Sequence, residues 1–371
     1  MLFALGVILP LAYIPLYTGQ YILTGWIVLS CVLPFFFLKP IQMGAAHWLG
    51  IAFLAYAYAS ICWVEVPIQS VWGLWELCML AGCFLLGTSR DTKWLWPGMA
   101  CGLAVNTLIA INQYFVHDLS LVFRVNPYAL TGLFVNPDMF GETACLVTIA
   151  LMATRQYPWI LLSAPGILMS GSRASLVALT ACLGLWMWDQ FRLKGLIVAA
   201  LLALAPAYYV TGFHRGAISE RQALWLDTIQ GTTNPFGHGV GSFFATYPKY
   251  ALRTDTMATR PEDPHNEFLN LAFEYGVGAL PIIAIISMGF ASGGPARYPL
   301  LAFLTIALFS FPTRIPTEGI VGMVALGTLC SARPWPWPYW RNLRPFGTPW
   351  QAYLSRRRVP LEPIYSNKTW I

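Results

Sequence analysis

The residue types best equipped for chemistry meet at Pro264-His265-Asn266-Glu267, where a polar stretch gives way to an apolar one. A histidine at a helix entrance can act as a general base near neutral pH. Glu267, Asn270 and Glu274 follow at helical spacing and share one face, while Phe268, Leu269, Leu271, Ala272 and Phe273 fill the others. A polar stripe of this kind in an apolar helix is costly unless it faces a cavity. The competing reading is that His265 and Glu267 only cap the helix. Asp263, His265 and Glu267 match no standard zinc spacing, and the sequence holds no His-Glu-x-x-His or Asp-x-Asp motif, so no metal is expected.

Upstream lie groups suited to an anion. Ser170-Gly171-Ser172-Arg173 sits between two apolar blocks, and Arg221 precedes Trp225 by one helical turn. An arginine fork matches phosphate oxygens, although Arg173 at a membrane boundary could also simply snorkel. Gly237-His238-Gly239-Val240-Gly241 is not a dinucleotide fingerprint, because its third glycine comes one residue early and no βαβ unit surrounds it. Gly237, Gly239 and Gly241 read as a tight turn or a close backbone approach, with a phosphate contact through their amides as the alternative. In Gly132-Leu133-Phe134-Val135-Asn136-Pro137-Asp138, Asn136 or Asp138 is placed to cap the following helix. There is no Gly-x-Ser-x-Gly elbow and no Walker A motif.

The elements that must position these groups are membrane helices. Of 371 residues, 57% are hydrophobic and 10% charged, against about 25% charged in soluble domains. Apolar blocks near the length of a spanning helix recur. They define about twelve candidate spans at 2–17, 20–38, 45–63, 70–88, 94–116, 138–153, 158–170, 174–189, 195–212, 266–290, 297–313 and 318–331. The first reads as a retained helix, since no basic segment or clear cleavage site marks a signal peptide. The eight cysteines fall in or beside apolar blocks without a CxxC pair, and read as small core residues.

Charge sets the orientation. With the N-terminus inside, Lys39, Arg90, Lys93, Arg155, Arg192, Lys194, Arg297 and the basic tail at 332–371 fall on the cytoplasmic side. Arg124, Arg173, Arg215, Arg221, Lys249, Arg253, Arg260 and Arg314 remain outside against that bias. The net charge of +6 therefore reports topology and anionic groups, not nucleic acid. The tail, rich in tryptophan, tyrosine and arginine, reads as an interfacial anchor on membrane lipids. The expected fold is an all-α membrane protein: one polytopic bundle over 1–331 with a longer periplasmic loop at about 213–265. A loop of about fifty residues in a compact domain is more often functional than filler.

Taken together, Gly132 to Gly141, Ser170 to Arg173, Arg221 with Trp225, Gly237 to Gly241, Pro264 to Glu267 and Glu274-Tyr275-Gly276 resemble the O-antigen ligase/polymerase superfamily in order and spacing. The resemblance runs over about residues 130–280. It implies a bacterial inner-membrane enzyme, active on the periplasmic face, that moves glycans from undecaprenyl diphosphate with inversion and without metal, nucleotide or other cofactor. It assigns His265 to activating the acceptor hydroxyl, and Arg173, Arg221 and less securely Arg215 to the lipid diphosphate. Two departures stand out: Asp138 occupies a position where many relatives have Asn, and the outer loop is short.

The leading expectation is ligase-like transfer of an oligo- or polysaccharide to an acceptor lipid, glycan or protein hydroxyl. A polysaccharide polymerase and a protein O-oligosaccharyltransferase are alternatives within the same superfamily. A lipid-linked glycan flippase would need charged residues along a path through the bilayer, where Glu76 is the main candidate. A catalytically inactive scaffold would need no intact histidine and arginine set.

Overall fold

The structure, a computed structural model, describes residues 1–13, 21–36, 43–116, 130–134, 136–192, 215–253 and 261–331. The expected span at 195–212 and the tail at 332–371 lie outside the described residues, as do Lys39, Arg124, Lys194 and Arg260. Within the described residues the chain is helical and contains no strand.

The helices are α1 (Leu2–Leu11), α2 (Tyr21–Val32), α3 (Ala45–Ala59), α4 (Pro67–Ser89), α5 (Leu95–Val116), α6 (Pro137–Ala153), α7 (Ile160–Ser170) and α8 (Arg173–Phe191). They continue with α9 (Arg215–Gly231), the short α10 (Phe243–Thr246), α11 (Glu267–Tyr275), α12 (Leu280–Ser292), α13 (Arg297–Ala307) and α14 (Pro316–Cys330). Among the described residues, four helical stretches are long and apolar enough to cross a membrane: Ala45–Trp63, Pro67–Ser89, Leu95–Gln113 and Glu267–Ser292. Shorter apolar helices run over Leu2–Leu11, Leu23–Phe36, Arg297–Ala307 and Pro316–Cys330.

The hub is α6, buried on every side from Met139 to Leu151. It packs against α5, α7, α8, α13 and α14. A helix hydrophobic all round belongs in the middle of a bundle. Small residues bring neighbouring helices together, as expected where lipid removes the hydrophobic drive between them. A Cβ on Gly98 of α5 would lie 2.2 Å from the Phe3 carbonyl of α1, and one on Gly327 of α14 would lie 2.1 Å from the Phe84 carbonyl of α4.

Three expected elements differ in detail. The stretch at about 213–265 contains α9, whose residues Leu224, Asp227 and Thr228 are buried. The block at 266–290 is interrupted: α11 stops at Tyr275, Gly276 takes a φ of 50°, and a 3-10 turn leads into α12. A Cβ on Gly276 would lie 2.2 Å from the Pro235 carbonyl, so the loop packed there requires glycine. The block at 297–313 ends as a helix at Ala307, leaving Phe309–Thr313 as a turn before α14.

Candidate functional site

Local capping places the ends of three helices side by side. At α6, Asn136 accepts the Asp138 amide at 2.8 Å and Pro137 fills the first helical position. Between α7 and α8, Gly171 turns the chain at φ 65°, and Ser172 caps α8 by accepting the Ser175 amide at 3.4 Å. At α11 the cap is Asn266, which accepts the Leu269 amide at 3.0 Å. Capping therefore falls to Asn266, and both His265 and Glu267 are left for other contacts.

The result is a small polar cavity of about 70 Å3 lined by Asn136, Asp138, Glu142, Arg173, Arg221 and His265. The turn Phe309-Ser310-Phe311 closes it. Arg221 donates to the Phe309 carbonyl at 3.1 Å. Among the described residues, the Arg173 guanidinium makes no hydrogen bond or ion pair. Two cations thus line the same small polar space.

His265 holds an uncommon backbone, φ 48°. Its amide donates to the Asp263 carboxylate at 2.8 Å, which fastens this left-handed turn. The same carboxylate lies 3.7 Å from the imidazole Nδ1. The ring also meets the Phe311 ring at a centroid distance of 5.3 Å. Just before it, the Pro264 carbonyl accepts the Trp225 indole at 2.9 Å, tying this turn to α9 four residues beyond Arg221. Strained, over-determined backbone of this kind concentrates at functional sites.

Glu267, Asn270 and Glu274 face elsewhere. They line a separate cavity of about 430 Å3 with Glu76, Thr313 and Arg314 at its polar end. Its walls are apolar side chains of α3, α4, α12, α13 and α14, among them Phe53, Leu80, Ile285 and Phe303. The shared helix face read from the spacing is present, but its partner is Arg314 and not His265. Glu274 meets Arg314 at 3.7 Å, and Thr313 donates to Glu267. Burial weakens the Arg314 charge, yet Glu274, Asp263, Glu76 and Glu267 around it hold its guanidinium above the ordinary arginine value.

The glycine run packs as a close backbone approach. Gly237, Gly239 and Gly241 have φ of 66°, 93° and 67°. The His238 and Gly239 amides donate to the Phe273 and Glu274 carbonyls at 2.9 and 2.8 Å, closing the C-terminal end of α11. A Cβ on Gly237 would lie 2.4 Å from the Glu274 carbonyl.

The cations expected on the outer side divide by partner. Arg253 pairs with the buried Asp227 at 2.9 Å, Lys249 pairs with Glu65, and Arg314 is held by carboxylates. Arg215 opens α9, and its side chain lies outside the described residues. Arg173 and Arg221 are the two that face the small cavity.

Motif reading did not pick out Glu142, Ser310 or Phe311 as site residues, nor Glu318 behind Glu142, and it weighed Asp263 only as a metal ligand. A signal existed for the two glutamates, because a carboxyl inside an apolar helix calls for a partner. Ser310 and Phe311 carried none.

Known proteins bear on this geometry. Residues 158–284 match the family described as O-Antigen ligase. The chain is 26% identical over 328 residues to an O-antigen ligase of Pseudomonas aeruginosa, a similarity covering 76% of this chain and 77% of that protein. The family match includes Arg173, Arg221, the glycine run and His265, and excludes Asn136, Glu142 and Phe309–Phe311. These similarities support glycan transfer by a multi-pass bacterial membrane protein as the general function. The resemblance first read in the motifs is thus to the O-antigen ligase superfamily, in the family match over the motif region and in similarity along three quarters of the chain.

Proposed function

We propose that this protein transfers a glycan from undecaprenyl diphosphate to an acceptor hydroxyl on the periplasmic side of the inner membrane. One observation carries the reading: Arg173, Arg221, His265 and Asn136, from four separate stretches of chain, line one small polar cavity. In this reading His265 takes the proton of the acceptor hydroxyl. The hydroxyl oxygen attacks the anomeric carbon, and the bond from that carbon to the diphosphate oxygen breaks. The lipid diphosphate leaves with the bonding electrons, and the displacement inverts the anomeric centre. Arg173 and Arg221 stabilise the charge that develops on the leaving group in a partly dry site. Asp263 fastens the turn that carries the imidazole by accepting the His265 amide. The larger cavity offers an apolar wall to a lipid chain.

The orientation has support in the helix ends. α6 and α8 begin at the polar cavity and end beside Arg155 and Arg192. Basic residues at the far ends are what a cytoplasmic face requires.

Purified protein in lipid nanodiscs, given a synthetic undecaprenyl-diphosphate glycan and a hydroxyl-bearing acceptor, should release undecaprenyl diphosphate and form a covalent glycan product. Movement of labelled carrier across liposomes with no covalent product would instead indicate a flippase. The chemical nature of the product distinguishes ligase, polymerase and protein-glycosylating activities, since each uses the same donor site.

A further inference from the structure

We propose that Glu142 is a positioning residue that, through Ser310, sets the turn on which both Arg221 and His265 rest. The inference builds on the glycan-transfer reading of the small cavity, and its residues lie outside the stretch matched by the family.

Glu142 sits in the first turns of α6 and is 1% exposed. A carboxyl there, within an otherwise apolar helix, is expensive to bury. It accepts the Ser310 hydroxyl at 2.9 Å. Ser310 is the middle residue of the turn after α13, and each neighbour touches one proposed working group. The Phe309 carbonyl accepts from Arg221 at 3.1 Å, and the Phe311 ring stands 5.3 Å from the His265 ring. The far end of the turn is tied down as well: the Arg314 amide donates to the Phe311 carbonyl at 3.0 Å, and the Trp26 indole donates to the Arg314 carbonyl at 3.2 Å. Ser310 is therefore, among the described residues, the side-chain tether in the middle of a turn that carries a contact to the arginine on one side and to the histidine on the other.

Glu142 is itself held. Glu318 of α14, fully buried, stands behind it. Thr143 donates to Glu318 at 3.4 Å and is 3.0 Å from Thr317, which in turn is 2.7 Å from the Tyr13 hydroxyl. This network joins α6 and α14 to the chain just after α1, so the tether starts from the bundle core. Buried hydrogen bonds of this kind fix geometry more sharply than an apolar contact does.

The test uses four variants in nanodiscs: Ser310→Ala, Glu142→Ala, Glu142→Gln and the double Ser310→Ala/Glu142→Ala. Two readouts are taken, kcat for glycan transfer and affinity for inorganic pyrophosphate. Small displacements of catalytic groups cost up to about 100-fold in rate. Ser310→Ala and Glu142→Ala should each lower kcat roughly 10- to 100-fold and weaken pyrophosphate binding. The double variant should be no worse than the poorer single, because both cut one tether. Glu142→Gln keeps an acceptor for Ser310 and should restore kcat to within about twofold of wild type. Wild-type kcat and pyrophosphate affinity in Ser310→Ala, or fully multiplicative losses in the double variant, would overturn the proposal. If wild type transfers glycan while Ser310→Ala is unaffected, only the tether fails. If wild type binds pyrophosphate but forms no product, the transfer reading fails and the binding series still decides the tether. A wild-type protein that binds no pyrophosphate overturns both.

Discussion

Replacing His265 by glycine separates a chemical role from a structural one, because the two roles predict opposite outcomes. The residue holds φ 48°. A left-handed backbone costs a non-glycine residue about 1–2 kcal/mol, which glycine does not incur. Glycine in turn adds unfolded-state freedom worth about 0.4–1 kcal/mol. Loss of the ring pair with Phe311 removes about 0.5–1.5 kcal/mol. These contributions nearly cancel, so His265→Gly should unfold close to wild type. His265→Ala keeps the backbone strain and loses the ring, and should be the less stable of the two. If the imidazole is the base, glycine has no substitute, and kcat should fall by about 10²- to 10⁴-fold. Thermal unfolding in nanodiscs and single-turnover transfer from a synthetic lipid-diphosphate glycan measure the two quantities. Full transfer activity in His265→Gly would refute the base assignment, since a residue valued only for its turn is well replaced by glycine.

Three further outcomes are expected. Arg221→Lys keeps the charge but loses the fork and the bond to Phe309, so the donor KM should rise by roughly 10- to 100-fold, and pyrophosphate inhibition of the wild type should weaken as salt is added. Arg253→Ala should leave the donor KM unchanged while lowering stability by about 1–3 kcal/mol, because Arg253 serves the buried Asp227 and does not line the cavity; a raised KM would contradict the division of outer cations. Trp225→Phe removes the donor to the Pro264 carbonyl, a loss of about 0.5–1.5 kcal/mol, and should lower kcat more than it changes donor KM, as read from initial rates over a donor series.

The sequence by itself determined that this is a helical membrane protein, and it singled out His265, Arg173 and Arg221 as candidate site residues. Hydropathy is a local property, so the apolar helices could be read directly, as could the shared face of Glu267, Asn270 and Glu274. The cap at Asn136 was local too, since a cap is fixed by a residue and the amides two or three places on, whereas the cap of α11 fell to Asn266 and not to His265 or Glu267. Even the glycine run was legible as a close approach, although not what it approached.

What only the tertiary structure decided was partnership. The sequence could not show what each arginine meets: Arg253 is occupied by Asp227 and Arg314 by Glu274, while Arg173 and Arg221 turn to the cavity. His265 and Glu267 are two residues apart but line different cavities, because Asn266 caps α11 and its neighbours leave on opposite sides. Glu142 and Ser310 meet across 168 positions of chain. No spacing rule reaches that far. Which cation is neutralised and which stays available is settled by the burial of charge against its nearest opposite, a quantity that exists only once the helices have packed.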